Sequence, residues 1–224
     1  MARVYSTSYF HYTKNLDNLK GILQNGFNGY YCKEDFKWYG NVFSLYVPMV
    51  SFCDIPLSMI DSITYGEYAI GMSSVWGNAI GICPICYFPN KQDNPLTKYI
   101  SKLAYNFMDT GSKVGVQLFS YAKSKNKYSN PHNYSWDNYK ERECRRVHLN
   151  GVTIDNRVHG QVCPQLNLQF SSNQITFIIV KDECDRVNLI DQMTKWTKIG
   201  GRQTQDTQLL CSRILTKQDI RNNF

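Results

Sequence analysis

The densest group of reactive side chains in the chain is Glu141-Arg142-Glu143-Cys144-Arg145-Arg146. On an extended strand, residues two apart point the same way, so Glu141 and Glu143 would share a face. A carboxylate held there can accept a sugar hydroxyl and offset positive charge that develops as a bond to a ribose breaks. Glu143 is the first candidate for that work and Glu141 the second. Arg145 offers a planar fork that fits two oxygens of a pyrophosphate. The plainer alternative is a solvated strand of paired Glu and Arg. A second group, Phe10-His11-Tyr12-Thr13, falls where a strand is expected to meet a helix, so His11 can project into a cleft or be an ordinary edge residue. A third, Lys123-Ser124-Lys125-Asn126-Lys127-Tyr128, precedes His132, Tyr134 and Trp136. Lys123, Lys125 and Lys127 could hold phosphates while Tyr128 and Trp136 stack unpaired bases, or the run could be a plain loop.

These groups need elements to hold them. Val4 to Tyr12 is rich in β-formers and reads as a strand, with Thr13 or Asn15 available to cap the helix that follows. Leu16, Leu19, Ile22 and Leu23 recur at helical spacing, and Gly26 stands where a left-handed residue would end the helix. Residues 28–46 read as an aromatic loop or a ragged strand pair. Short apolar strands are expected at Val47–Cys53, Tyr68–Met72 and Ile80–Phe88, and two helices between Lys91 and Ala122. Ile175–Val180 is the clearest late strand, with a helix at Asn188–Lys195 and a last segment from Leu215. No repeat or Gly/Ser linker divides the chain, so a single domain over residues 1–224 is expected.

Composition narrows the class. Hydrophobic residues make up 42% and charged ones 19%, enough apolar surface to build a core. Lys and Arg exceed Asp and Glu by 25 to 18, a net charge of +7 that attracts polyanions or an acidic partner without choosing between them. The eight cysteines of a mid-sized chain with no signal core are expected to be reduced in cytoplasm. Cys83-Pro84-Ile85-Cys86 has the spacing of a redox or zinc knuckle, but a structural zinc needs a second pair, so no metal is expected. No run of about 18 apolar residues predicts a membrane helix. Neither a P-loop nor a dinucleotide fingerprint is present.

Two resemblances sharpen the reading. The opening, a strand with His11-Tyr12-Thr13 and then Asn15 to Phe27, resembles that of DarT-like ADP-ribosyltransferases that modify nucleic acids. The run Pro48-Met49-Val50-Ser51-Phe52-Cys53-Asp54-Ile55-Pro56-Leu57-Ser58 resembles the AbiGi family of abortive phage infection proteins. So do Tyr65–Met72, Trp76-Gly77, Glu143-x-Arg145 and the segments around Ile178 and Arg213. The family pattern has Trp where this chain has Cys144, which weakens the match locally. The resemblance implies an α+β fold with an ADP-ribosyltransferase-like split mixed sheet and flanking helices. It assigns His11, Tyr12 and Thr13 to one wall of an NAD site, and Ser51 and Phe52 to the nicotinamide side. Asp54 would hold a ribose hydroxyl or cap a helix, Arg145 the pyrophosphate, and Glu143 the catalytic carboxylate.

The leading expectation is therefore a toxin-type mono-ADP-ribosyltransferase of a phage-defence system. It would use NAD as substrate, modify RNA or DNA with RNA favoured, and be restrained by a cognate antitoxin and a chaperone. The competing expectation takes the family's antitoxin label at face value: a non-catalytic antitoxin or nucleic-acid-binding module on the same scaffold.

Overall fold

A computed structural model describes residues 6–36, 44–62, 65–89, 94–109, 113–125, 138–203 and 206–223. In chain order the strands and helices are β1 (Ser8–Thr13), α1 (Leu16–Asn25), β2 (Phe27–Asp35), β3 (Ser44–Cys53), β4 (Tyr68–Ser73), α2 (Ser74–Ala79), β5 (Cys83–Pro84), β6 (Cys86–Phe88), α3 (Pro95–Asp109), α4 (Lys113–Phe119), β7 (Ala122–Ser124), β8 (Glu143–Val147), β9 (Val162–Leu168), β10 (Ile175–Val180), α5 (Glu183–Met193), β11 (Lys198–Ile199), β12 (Arg202–Gln203), α6 (Thr207–Cys211), β13 (Ile214–Thr216) and α7 (Lys217–Asn223). The fold is α+β with a mixed sheet and several helices, as expected. Its residues group into two compact units. One comprises residues 1–28, 51–82 and 167–224, the other residues 29–50 and 83–166.

In the first unit, β4 lies between β1 and β10, both antiparallel to it, and β13 runs parallel to β10. Alternation along β1 sends Phe10 and Tyr12 into a core with Cys53, Ile55, Ile60, Ala69, Ile179 and Ile220. The opposite face carries His11, whose ring meets those of Phe27 and Phe52. Helix α1 is built as its sequence demands. The Asn15 side chain accepts from the Asn18 amide, Leu19 and Leu23 are buried, and Gly26 ends the helix at φ 85. A Cβ at Gly26 would stand 2.6 Å from the Leu168 carbonyl oxygen, so only glycine fits. The helix expected at Asn188–Lys195 starts earlier, because Asp182 caps it by accepting from the Asp185 amide.

The second unit is organised on the β2–β3 pair, in register from Tyr30 opposite Met49 to Asp35 opposite Ser44. The aromatic stretch expected as a loop or ragged pair is thus a regular antiparallel pair over its described residues. Strand β8 joins β3 and β5, and β6 pairs with β7 in parallel. The expected strand over Ile80–Phe88 is instead a turn followed by β5 and β6, since Gly81 is left-handed at φ 77 and Pro84 lacks an amide hydrogen. Leu45, Val47, Met49, Phe36 and Val147 pack with Ile100 of α3 and Phe119 of α4 to form this unit's core.

Candidate functional site

In each unit, polar side chains that the sequence marks as candidates are held inside apolar surroundings. In the second unit, β8 alternates so that Glu143, Arg145 and Val147 face the same way, and Val147 marks that way as the core. Arg145 is wholly buried. Its Nε donates to Glu143 Oε1 at 2.6 Å, Nη2 to Glu34 Oε1 at 2.8 Å and Nη1 to the Ser120 carbonyl at 2.7 Å. Lys123 Nζ, 18% exposed, reaches Glu143 Oε2 at 2.7 Å and Glu141 Oε2 at 2.8 Å. The Glu143 amide donates to the Tyr87 hydroxyl. Three carboxylates and two cations therefore form one continuous network.

Electrostatics inside it are strongly unequal. Burial alone would raise the Glu143 carboxyl, but Arg145 and Lys123 outweigh it and hold the group at about 2. Glu34 goes the other way: burial, helped by Glu143, raises it against the pull of Arg145. Lys123 loses to burial but gains more from Glu143 and Glu141, so its ammonium is held above its ordinary value. Burial and the neighbouring Glu34 push the Cys32 thiol up to about 11, so it is no nucleophile. With a cation on each oxygen, Glu143 is ionised at neutral pH and cannot serve as a general acid.

In the first unit, His11 Nδ1 lies 2.9 Å from the Ser51 carbonyl oxygen. A carbonyl only accepts, so Nδ1 carries the proton and Nε2 of the neutral ring is the acceptor. Burial lowers the His11 pKa, and the bond to Ser51 only partly opposes that. The ring packs edge-on against Phe27 at 5.1 Å and Phe52 at 5.7 Å. Phe27, Phe52, Phe170 and Trp76 continue as a contiguous aromatic cluster. Trp76 Nε1 donates to the Gln169 carbonyl.

The expected site residues are distributed accordingly. His11, Thr13, Ser51, Phe52 and Asp54 belong to the first unit and Glu141, Glu143, Arg145, Lys123 and Lys125 to the second. Tyr12 does not share a wall with His11: strand alternation puts it on the opposite face, where its hydroxyl donates to the Ile60 carbonyl. Ser51 meets His11 through its carbonyl, Phe52 is a buried ring of the aromatic cluster, and Asp54 follows β3 half-buried. Glu141 lies in the 3-10 turn Asn138–Glu141 and not on a strand with Glu143. Both still reach Lys123, with Arg142 between them turned into the left-handed region at φ 42.

Arg145, expected to meet a pyrophosphate, has its fork filled by Glu34, Glu143 and Ser120. Lys123, expected to face phosphates, is committed to two carboxylates. Lys125 is exposed, with its ammonium 6.0 Å from the Tyr139 ring centroid. Lys127, Tyr128 and Trp136 lie outside the described residues. Among the described residues no group of three or more metal-ligating side chains occurs. Glu34 and Ser120 were not anticipated. Reading Phe27–Asp35 as a strand would have found Glu34, since Cys32, Glu34 and Phe36 alternate onto the core face. Nothing local marks the Ser120 carbonyl.

A family model described as putative abortive phage resistance protein AbiGi, antitoxin, matches residues 25–181. No curated protein matches, and no solved structure does. The match begins after the His11 opening, so it supports the AbiGi resemblance and not the DarT-like one. The antitoxin description corrects the leading expectation of a toxin-type ADP-ribosyltransferase. The expected cognate antitoxin partner, tied to the toxin role, goes with it. NAD entered as that enzyme's substrate, whereas nucleic acid was expected also from the net charge of +7 and the lysine run from Lys123.

Proposed function

The chain belongs to the AbiGi family of abortive phage resistance proteins, and from that premise we propose that it is a non-catalytic antitoxin that restrains a toxin protein by binding it. The observation that carries this reading is a match described as antitoxin over residues 25–181. The geometry agrees in kind: Glu143 and Arg145, the charged residues best suited to chemistry, spend their hydrogen bonds on Glu34, Lys123, Ser120 and each other. A buried network filled by its own members organises a scaffold and leaves the surface to do the binding. Among the described residues no helix is long and apolar enough to cross a membrane, and cytoplasm is the compartment where such a restraint would operate.

Growth on induction tests the proposal. The chain expressed alone should leave a bacterial host growing normally. Co-expressed with the growth-arresting toxin that it restrains, the chain should restore growth. Arrest by the chain alone, or failure to rescue, overturns the reading.

A further inference from the structure

Among the described residues, the second unit exposes more of the large hydrophobic side chains. Of the twelve large hydrophobic residues exposed among the described residues, eight belong to it: Tyr30, Leu96, Tyr99, Leu118, Tyr139, Leu149, Ile154 and Val162. All of this unit, residues 29–50 and 83–166, falls inside the matched segment 25–181, whereas residues 1–24 and 182–224 of the first unit fall outside it. A function shared by the family is therefore more fully contained in the second unit.

On that unit, α3 presents an organised stripe. Thr97 and Ile100 point inward and are buried. Leu96, Tyr99 and Leu103, spaced i, i+3 and i+7, follow one flank of the helix. Leu96 is 49% and Tyr99 62% exposed, and Leu103 is half-buried. Lys98 and Lys102, one turn apart and exposed, lie next to the stripe, and the helix has no acidic residue before Asp109. Thr97 anchors this end of the helix by donating its hydroxyl proton to the Pro89 carbonyl at 2.8 Å.

We propose that the Leu96–Tyr99–Leu103 flank of α3, with Lys98 and Lys102 beside it, is the surface on which the restrained toxin docks, through an apolar patch of its own bordered by carboxylates. The proposal rests on the antitoxin reading and names its binding face. An apolar anchor containing an aromatic residue is the usual energetic centre of a protein interface, and adjoining cations select a partner of opposite charge. Two lysines beside three apolar side chains are too few cations for a nucleic-acid backbone, whose contacts go mainly to phosphates.

The test uses the chain of residues 1–224 and, as probe, the purified growth-arresting toxin of the rescue experiment. Leu96→Asp with Tyr99→Asp should weaken binding by roughly 100-fold or more and abolish growth rescue. The milder Tyr99→Ala should weaken it by roughly tenfold, and thermal unfolding should confirm that both variants fold. Lys98→Glu with Lys102→Glu should slow association by about tenfold at low salt, a difference that shrinks at high salt. Val187→Ser, an exposed residue of α5 in the other unit, should change nothing. Rescue by the wild type together with undiminished binding by folded Leu96→Asp/Tyr99→Asp sinks this docking face alone. A wild type that neither binds nor rescues sinks the antitoxin reading as well. A stripe variant that loses RNA or DNA binding while keeping the protein complex assigns the surface to nucleic acid and overturns the proposal.

Discussion

His11 and Arg145 are both polar residues set among apolar ones, and the two units accommodate them by opposite means. Around His11 the solution is neutrality: burial favours the uncharged ring, one carbonyl accepts its proton, and aromatic edges fill the remaining space. Around Arg145 the solution is pairing: full charge is retained, and each nitrogen of the guanidinium finds a carboxylate or carbonyl. Giving up a charge needs one partner, whereas keeping it needs a closed network. The second arrangement is consequently the more brittle, since removal of any member strands the others without water.

The sharpest way to break that contrast is to remove the centre of the network. Arg145→Met should destabilise the second unit by about 3–5 kcal/mol, because Glu34 and Glu143 are left buried and uncompensated. Combining it with Glu143→Gln should cost clearly less than the two single changes added together. Denaturant titration measures both. A loss under about 1 kcal/mol for Arg145→Met would mean that the network is ornamental.

Neighbouring lysines give a smaller and more selective comparison. Lys123→Met should cost about 1–3 kcal/mol, since two nearly buried carboxylates lose their shared cation. Lys125→Ala, at an exposed position, should stay within about 0.5 kcal/mol. Equal effects at the two positions would contradict the geometry.

Acid separates the units by window, to a smaller degree. The folded pKa of His11 lies below its ordinary 6.5, so the unfolded chain binds a proton that the folded chain refuses, and stability begins to fall as pH drops below 6.5. Glu143, at about 2 against an ordinary 4.5, contributes stability that is complete above 4.5 and disappears as pH falls towards 2. Glu34, raised by burial, has the opposite sign and offsets part of that lower-pH loss. Amide hydrogen exchange should therefore show Ser8–Thr13 of β1 losing protection at a higher pH than Glu143–Val147 of β8. His11→Phe should abolish the upper window and leave the lower one in place. The reverse order of protection loss would overturn the assignment of neutral and charged sites.

Much of the local architecture could be read along the chain. The strand ending at Thr13, the Asn15 cap, the Leu19 and Leu23 face and the Gly26 stop are all present, because each depends on neighbours within a few residues. The two helices between Lys91 and Ala122 were legible from apolar periodicity in the same way, while the α+β class was expected from the family resemblance. The aromatic stretch after Phe27 was harder, since Tyr, Phe and Lys in succession obscure the alternation that pairing with β3 imposes.

Residue types alone determined which groups could carry charge or chemistry: the paired glutamates and arginine near 143, the histidine at 11 and the lysines from 123 onward. Only the tertiary structure decided what they do with it. Glu34 lies far from Arg145 in sequence yet 2.8 Å from it in space, and Lys123 turns inward to two carboxylates instead of outward to a phosphate. The physical reason is that the strength of a charge depends on which partners and how much water surround it, and both are fixed by strands and helices that meet only when the chain folds.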